Sequence, residues 1–346
     1  MSRSTPPVVF IHGFKGAHLE HDDSGKRHWL TGPQALGWRG PGVSMPLNWR
    51  QGRQSRDRLV PVEPVGKVLH VPFYRPLMLW CAQRTKAFYP FVYDWRRDNT
   101  EAVDAFGQFL RSVSGRHGGQ PVQIIAHSNG GLITYAAMVD QPELVHSIVF
   151  AATPFGGGIG RLEDLQLGLK TGWNRSITSP EVMQSFVTTF AFFPLPNESS
   201  QVFAENGQTL PLDWYDLAAW QEHRLGPLRP GATVGPADIE HLRNVLRVTK
   251  AFRERLASPV SSYPPIAIIA SDSTPTLAAV RREPGAALGW NFDVCEREPG
   301  DGCVRFSSCL PPEGVTFKLY KTLHQHSQVL SDVDTLGCAL DDLCAS

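Results

Sequence analysis

The sequence predicts an α/β protein whose central sheet is mostly parallel, with helices on both faces and a cap inserted into it. Short apolar runs of strand length alternate with stretches in which apolar residues recur at helical spacing. This rhythm breaks between residues 159 and 257, where turns separate the apolar pieces, and strand-like runs return afterwards. We therefore predict a single domain over residues 1–346, with residues 159–257 as a cap or lid insertion within it.

The individual elements are predicted from local patterns. Continuous apolar runs bounded by Gly, Pro or polar residues predict strands over residues 8–11, 91–95, 123–127, 147–152, 265–269 and 316–320. Apolar residues three and four apart predict helices over 102–113, directly after 128, and over 239–256. Residues 14–90 are rich in Gly, Pro, Trp and Arg without sustained periodicity, which predicts long loops and short elements forming one wall of a pocket.

The charge balance argues against nucleic acid as a partner. Among the 346 residues, 33 Lys and Arg residues are matched by 33 Asp and Glu residues, so no basic footprint or acidic tail is present. No apolar run approaches the ~20 residues of a membrane span, and the first seven residues lack the apolar core of a signal peptide. If Met1 is the true start, a cytoplasmic protein is expected.

The six cysteines form no C-x-x-C pair, and five of them lie in the last quarter of the chain, at Cys295, Cys303, Cys309, Cys338 and Cys344. In the cytoplasm such residues are expected to be free thiols. Their clustering would allow disulfide bonds if the protein were exported, and the sequence leaves that alternative open.

The stretch from Gln123 to Leu132 carries the strongest chemical signal. A strand-like run stops at Ser128, and a helical pattern follows at once. The small residue Ala126 lies two positions before the serine, and Gly130 lies two positions after it. This small-x-Ser-x-Gly layout is that of a nucleophile elbow, where the turn is too sharp for large flanking side chains. Ser128 is therefore the predicted nucleophile.

A serine nucleophile needs a base to remove its proton and an acid to orient that base. In a doubly wound sheet of this kind the acid and then the histidine follow the serine in the chain. Asp301, in a turn between two glycines, is the predicted acid, and Asp272, directly after an apolar run, is its rival. His326 is the predicted base and His324 the alternative, whereas His127 is expected to pack beside the sheet.

The same chemistry needs two N–H donors aimed at the developing oxyanion. One is predicted to be the backbone N–H of Asn129, the residue after the nucleophile. The other is predicted in the loop after the first strand, where Gly13 and Gly16 would let the backbone approach the substrate. Phe14 is the chosen donor in that loop.

Residues 18–23 contain residue types that bind metals, namely His18, Glu20, His21, Asp22 and Asp23. Their spacing does not support the geometry of a zinc site, and a solvated loop is the favoured interpretation. No metal site is therefore predicted in this chain.

Several stretches in order carry a family resemblance. The most specific is Tyr93-Asp94-Trp95-Arg96; the others are the first strand and loop at 8–16, the elbow at 126–131, the Thr-Pro-x-Gly-Gly run at 153–157, the Gly-Asp-x turn at 300–302 and the late histidine His326. Together they resemble the lecithin:cholesterol acyltransferase family of the α/β-hydrolases, as a bacterial-type member. Ala126 replaces the first elbow glycine, and Asn129 stands where Met or Leu is usual.

The resemblance implies the α/β-hydrolase fold and acyl transfer through a serine ester. Ser128 would attack a lipid ester carbonyl, His326 would take and return the proton, and Asp301 would steady the imidazolium. The N–H groups of Phe14 and Asn129 would hold the oxyanion. The acyl group would then pass to water or to an alcohol, and no metal or organic cofactor is implied.

The implied partners are a lipid or other ester substrate and an alcohol acceptor, with at most transient contact with a membrane surface and no stable protein partner. Apolar aromatic residues of the predicted cap would offer a surface to acyl chains; they lie in 186–195 and at Trp214, Tyr215 and Trp220.

Two other functions compete with this one. An esterase or lipase for small soluble esters would prefer short nitrophenyl esters to micellar phospholipid. A hydrolase-like binding module would be inert at Ser128, so a fluorophosphonate probe would not label it and Ser128→Ala would change nothing. Since residue types for nucleophile, acid and base occur in the expected order, the binding module is the least favoured.

Overall fold

The computed structural model describes residues 5–38, 40, 42–50, 57–196, 202–258, 260, 262–283, 285–286, 288–292 and 296–344. Its strands are β1 (Val8–Ile11), β2 (Ala17–His21), β3 (Arg27–Trp29), β4 (Leu59–Pro64), β5 (Lys67–Val68), β6 (Val71–Pro72), β7 (Phe88–Phe91), β8 (Val122–His127), β9 (Val145–Ala151), β10 (Val202–Phe203), β11 (Ile266–Ala270), β12 (Thr274–Leu277), β13 (Val280–Arg282), β14 (Trp290–Asn291), β15 (Arg297–Gly300) and β16 (Lys318–Lys321).

The helices are α1 (Gly32–Ala35), α2 (Arg75–Arg84), α3 (Asn99–Arg116), α4 (Asn129–Asp140), α5 (Gly160–Leu167), α6 (Pro180–Ser185), α7 (Val187–Phe190), α8 (Leu217–His223), α9 (Pro236–Ala257) and α10 (Val333–Cys344). Short 3-10 turns cover Pro142–Leu144, Gly226–Leu228, Ser307–Cys309 and His326–Ser331.

A six-stranded sheet in the order β16-β11-β9-β8-β1-β7 organises the molecule, and all of its pairings are parallel. Ile11 lies opposite Ala126 in the register of β1 and β8, so both strands end at the same edge. The chain passes from β1 to β7 and then back across to β8, which opens a crevice at the carboxyl ends of β1 and β8.

Side-chain alternation along the strands builds a core on each face of the sheet. Val9 and Ile11 of β1 belong to one apolar cluster, whereas Val8 and Phe10 belong to a second. The first cluster includes residues of α3, α4 and α9, and the second includes residues of α2 and α10. The predicted α/β-hydrolase architecture, a parallel sheet covered on both faces, is therefore confirmed.

Helices α5 to α8 lie between β9 and β11, within the region predicted as a cap. Helix α9 packs against α3 and α4 of the sheet layer as well as against α7 and α8. Four aromatic residues of this region, Phe186, Phe190, Phe193 and Trp220, are fully buried, whereas Trp173 is exposed. Phe190 and Phe193 pack on Trp220, whereas Phe192 of the same stretch lines a cavity, so the apolar surface for acyl chains stays a prediction.

The strand predicted over residues 91–95 lies earlier than expected. β7 ends at Phe91, and the N–H of Tyr93 leaves the ladder to donate to His12 Nε2 at 3.3 Å. The Tyr93 hydroxyl donates to the His12 carbonyl at 3.1 Å, and the Trp95 indole N–H donates to the Ala17 carbonyl at 2.9 Å. The Tyr-Asp-Trp-Arg run thus holds the chain that follows β1.

Arg96 completes this arrangement from a position that is 1% exposed. Its guanidinium donates to Asp94 at 2.9 and 2.7 Å, to Asp57 at 2.5 and 3.2 Å, and to the Val43 carbonyl at 2.9 Å. A buried cation that is hydrogen-bonded on every side joins the residues after β7 to the N-terminal wall of the fold.

We expect Arg96→Ala to lower the free energy of unfolding by about 3–5 kcal/mol, because it leaves two carboxylates near one another without their cation. The measurement is urea unfolding followed by circular dichroism. Arg243→Ala is the control, since Arg243 pairs with Glu240 on the surface and such pairs contribute about 1 kcal/mol or less. Equal losses in the two variants would contradict the structural role of Arg96.

Candidate functional site

The loop between β8 and α4 has the geometry of a nucleophile elbow. Ser128 adopts φ 51° and ψ −124°, a conformation that L-residues rarely adopt and that costs of order 1–3 kcal/mol. A Cβ on Gly130 would lie 2.4 Å from the His12 carbonyl oxygen, and one on Gly131 would lie 1.9 Å from Thr153 Oγ1. The small residues of the motif are therefore required by the close approach of neighbouring chain segments.

Ser128, His326 and Asp301 form one hydrogen-bonded series. His326 Nε2 lies 3.0 Å from Ser128 Oγ, and His326 Nδ1 lies 2.7 Å from Asp301 Oδ2. Because a carboxylate only accepts, Nδ1 carries the proton and donates it to Asp301. The lone pair of Nε2 then faces the Ser128 hydroxyl, which is the arrangement in which an imidazole can accept the serine proton.

Asp301 is buried, with 1% of its surface exposed. Its Oδ1 accepts the backbone N–H groups of Cys303 at 2.9 Å and Val304 at 2.7 Å. Burial works to raise the pKa of this carboxyl, but the charge and hydrogen bond of His326 and the two backbone donors outweigh it, so the pKa lies below its usual value. The carboxylate is thus ionised and fixed in orientation.

The rival residues do not join this series. Asp272 accepts from Lys321 Nζ at 2.6 Å, with its side chain 35% exposed. His324 is exposed, and its backbone N–H donates to Thr322 Oγ1. The structure therefore brings together the first choices for base and acid, Asp301 and His326, with Ser128.

The two predicted oxyanion donors belong to the two chain segments that meet at Ser128. The loop after β1 runs against the elbow, since a Cβ on Gly13 would lie 2.8 Å from Ser128 Cβ. Phe14 follows in that loop, and Asn129 is the first residue of α4, whose leading N–H groups have no acceptor within a helix. Within the described part of the chain, neither backbone N–H has a recorded acceptor.

The Asn129 side chain has a structural role that the sequence did not reveal. Its Nδ2 donates to Asn99 Oδ1 at 2.9 Å and to the Tyr93 hydroxyl at 3.0 Å, while Asn99 Nδ2 donates back to Asn129 Oδ1. This reciprocal pair ties the start of α4 to α3. No periodicity or motif in the sequence places Asn99 beside the elbow.

His127 also does more than pack beside the sheet. Its Nε2 lies 2.9 Å from the His326 carbonyl, which can only accept, so Nε2 carries the proton. Its Nδ1 then accepts the Tyr74 hydroxyl at 2.7 Å, and that hydroxyl accepts the Gly13 N–H at 3.0 Å. His127 and Tyr74 thereby join the loop of His326 to the loop that contains Gly13 and Phe14.

Two buried histidines give the fold a pH dependence. Burial lowers the pKa of His12 to about 4 and, with the nearby charge of His326, that of His127 to about 3. In the unfolded chain both titrate near 6.5. The unfolded state therefore binds more protons below pH 6.5, and the stability that these neutral rings provide above pH 6.5 is lost as the pH falls towards 4.

As the pH is lowered from 6.5 to 4.5, we expect the free energy of unfolding to fall by about 1.4 kcal/mol per pH unit for each of these two histidines. Urea unfolding across this range measures the slope. His127→Gln should reduce the slope by about one histidine's share, and exposed His70 provides the control variant His70→Gln. An unchanged slope in His127→Gln would contradict the neutral, buried state of that ring.

A cavity of about 360 Å³ opens in front of Ser128. Its lining mixes apolar residues such as Phe192 and Leu169 with charged side chains from α5, from the loop after it and from residues near Asp301. A space of this volume is at the small end of those that hold ligands.

The other features singled out in the sequence are residues 18–23 and the cysteines. The side chains of His21, Asp22 and Asp23 converge within 4.8 Å, and Arg58 already forms ion pairs with both carboxylates. In the described ranges the cysteines are free thiols, at Cys81, Cys303, Cys309, Cys338 and Cys344. Cys295 lies outside the described residues.

None of the helices in the described part of the chain combines the length and apolar character needed to cross a bilayer.

Comparison with known proteins supports the resemblance seen in the motifs. The family model "Lecithin:cholesterol acyltransferase" matches residues 74–223. The uncharacterized protein YJR098C of Saccharomyces cerevisiae is 22% identical over 225 residues, which are 64% of this chain and 34% of that protein. The chain thus spans about a third of the length of this curated relative.

Among solved structures, one described as the Tle4-Tli4 complex superposes with a TM-score of 0.60 and 14% identity over 98% of each chain. A likeness at this identity concerns the fold alone. The resemblance to the lecithin:cholesterol acyltransferase family is therefore confirmed over residues 74–223, on an α/β-hydrolase fold.

Proposed function

We propose that this protein is a serine-dependent lipid acyl hydrolase or acyltransferase that works through an acyl-enzyme on Ser128. The observation that carries the proposal is the hydrogen-bonded series Ser128–His326–Asp301 at a strained elbow. Strain held at a buried serine that faces a histidine lone pair is expected where the hydroxyl must be presented to a substrate.

In the proposed mechanism, Ser128 Oγ attacks the ester carbonyl carbon while its proton passes to His326 Nε2. Asp301 stabilises the resulting imidazolium. The backbone N–H groups of Phe14 and Asn129 receive the oxyanion of the tetrahedral intermediate. When the intermediate collapses, His326 returns the proton to the leaving alcohol and the acyl group remains on Ser128. Water or a second alcohol then removes it by the same steps in reverse.

The protein's own donors and acceptors supply this chemistry, and neither a metal nor an organic cofactor enters any step. The substrate is proposed to be a lipid ester, in keeping with the family match over residues 74–223. An acceptor alcohol and a transient membrane contact belong to the same proposal.

An esterase for small soluble esters is the second candidate, and one observation favours it. The cavity in front of Ser128 is only about 360 Å³ and is partly lined by charges, while Phe186, Phe190, Phe193 and Trp220 of the cap are buried core. A small polar ester would fit such a space without any rearrangement of the cap.

A lipid panel tests the proposal. The protein is incubated with liposomes, with and without an added sterol, and the products are identified by mass spectrometry. Ser128-dependent release of fatty acid identifies a hydrolase, and Ser128-dependent sterol ester identifies a transferase. Hydrolysis of nitrophenyl butyrate at the same site, with every lipid left intact, would replace the lipid proposal by the small-ester candidate.

A further inference from the structure

The cavity in front of Ser128 is unusually positive for this chain. Among the residues that the structure describes, five cations line it, against the two acids Glu163 and Asp164; the cations are Arg161, Lys170, Arg175, Arg297 and Arg305. The whole sequence has equal numbers of basic and acidic residues. An excess of three positive charges at the nucleophile is therefore a local feature and does not reflect a basic protein.

Two of these cations are neutralised by neighbours. Arg161 donates to Asp164 Oδ2 at 2.5 Å, and its guanidinium lies 5.0 and 4.9 Å from the ring centroids of Phe14 and Phe192. Arg305 Nη1 lies 3.4 Å from Glu298 Oε2. Arg161 is thus fixed beside the predicted oxyanion loop, where it forms one wall of the cavity.

The other three cations differ from these two. Within the part of the chain that the structure describes, Lys170, Arg175 and Arg297 have no recorded ion pair. They come from two separate regions, the loop after α5 and strand β15. Side chains that converge from separate elements on one cavity form a positive site whose complement is a negative charge on the ligand.

Lys15 adds to this field from the loop after β1. Burial and then the charge of Arg161 lower the pKa of its ammonium to about 8. The ammonium lies 5.7 Å from the ring centroid of Trp29 and has no recorded ion pair among the described residues. An anion bound in the cavity would relieve the repulsion between these cations.

We propose that the cavity binds the non-acyl part of an ester whose net charge is negative, with an anionic phosphodiester lipid as the fitting class. Its charged lining suits a headgroup better than an acyl chain, since chains prefer apolar walls. A phosphocholine group carries the same phosphate but adds a quaternary cation, which the excess positive charge of the cavity would repel. The inference rests on the proposed acyl-transfer function of the same site.

Soluble short-chain lipids test the proposal without a membrane. Dihexanoyl phosphatidylglycerol and dihexanoyl phosphatidylcholine, both below their micelle concentrations, present the same acyl chains with different net charge. We expect kcat/KM to be about tenfold or more higher for the anionic lipid, and the preference to shrink between 0.05 and 0.5 M NaCl because salt screens exposed charges. Equal rates, or a preference for phosphatidylcholine, would overturn the proposal.

Substitutions that remove single charges show which residues cause the preference for the anionic lipid. Arg175→Gln combined with Arg297→Gln should bring the ratio of the two kcat/KM values close to one, whereas Arg175→Lys with Arg297→Lys should keep most of it. Arg116→Gln, at an exposed position at the end of α3, removes one positive charge elsewhere and should leave the ratio unchanged. If Arg116→Gln lowers the ratio as much as the cavity variants, general charge is responsible and the proposed site is wrong.

A binding measurement separates this inference from the proposed function. Calorimetry with Ser128→Ala reads the affinity for each lipid without turnover, and the Kd should be about tenfold or more lower for phosphatidylglycerol. If no ester is hydrolysed but this difference persists, acyl transfer fails and the anion site stands. If esters are hydrolysed without a charge preference, acyl transfer stands and the anion site is wrong.

Vesicles distinguish headgroup recognition from surface attraction. Long-chain phosphatidylglycerol vesicles that bind the protein, together with equal rates on the two soluble lipids, would show that a charged surface is recognised, which contradicts the cavity as the site. Inorganic phosphate should compete with the soluble anionic lipid if the phosphate itself is recognised. Stimulation or no effect at 50 mM phosphate would overturn that assignment.

Discussion

Ser128→Ala should lower kcat for ester hydrolysis by about 10⁴-fold or more, because the variant has no atom that can form the acyl-enzyme. The residual rate would come from the oxyanion donors and from binding, which the substitution leaves in place. Fold and stability should change little, since among the described residues the Ser128 side chain makes a single hydrogen bond, to His326. Hydrolysis is followed with nitrophenyl butyrate and with the active lipid of the panel.

The control for this experiment is Ser24→Ala, at an exposed serine in the turn after β2. It should keep the wild-type rate. Thermal unfolding of both variants shows whether a loss of activity reflects the missing hydroxyl or a damaged fold. A Ser128→Ala protein that is folded and retains more than a few per cent of the rate would refute the assignment of Ser128 as the nucleophile.

Asp301→Asn should lower kcat by roughly 10³–10⁴-fold, because it changes which ring nitrogen of His326 carries the proton. The backbone N–H groups of Cys303 and Val304 point at Oδ1, so the amide oxygen must occupy that place. The amide NH₂ then faces His326 Nδ1, which can only accept it, and the ring proton moves to Nε2. A protonated Nε2 cannot accept the proton of Ser128.

The neighbouring candidates supply the matched controls for that variant. Asp272→Asn removes a carboxylate that pairs with Lys321 at the surface, and it should leave kcat unchanged. His326→Gln should lower kcat at least as much as Asp301→Asn does, while His324→Gln should keep the wild-type kcat. If Asp272→Asn carries the large loss instead, Asp301 is not the acid of the site.

The sequence predicted the parts of this site that local chain geometry dictates. A serine between small residues at a strand end is typical of a sharp elbow, because only small residues tolerate contacts such as the 2.4 Å approach at Gly130. The Asp301 turn and the late His326 followed from chain order. Short, fully apolar strands similarly predicted the parallel sheet, since strands buried on both faces lack alternation.

The remaining features depend on distant contacts that no local pattern records. Tyr74 reaches His127 across 53 positions, and Arg96 reaches Asp57 across 39. The cations at the cavity come from residues 161–175 and 297–305 and look like ordinary surface charges in the sequence. The end of β7 was misplaced because apolar and aromatic residues continue past Phe91, while the backbone N–H of Tyr93 bonds to His12.

Covalent labelling tests most directly whether Ser128 is an activated nucleophile. The protein is treated at pH 7.5 with a fluorophosphonate, digested, and mapped by tandem mass spectrometry. We predict a single stoichiometric adduct on Ser128, formed much more slowly in Asp301→Asn and absent in Ser128→Ala. An adduct on another serine, or none in folded protein that hydrolyses esters, would contradict the role of Ser128.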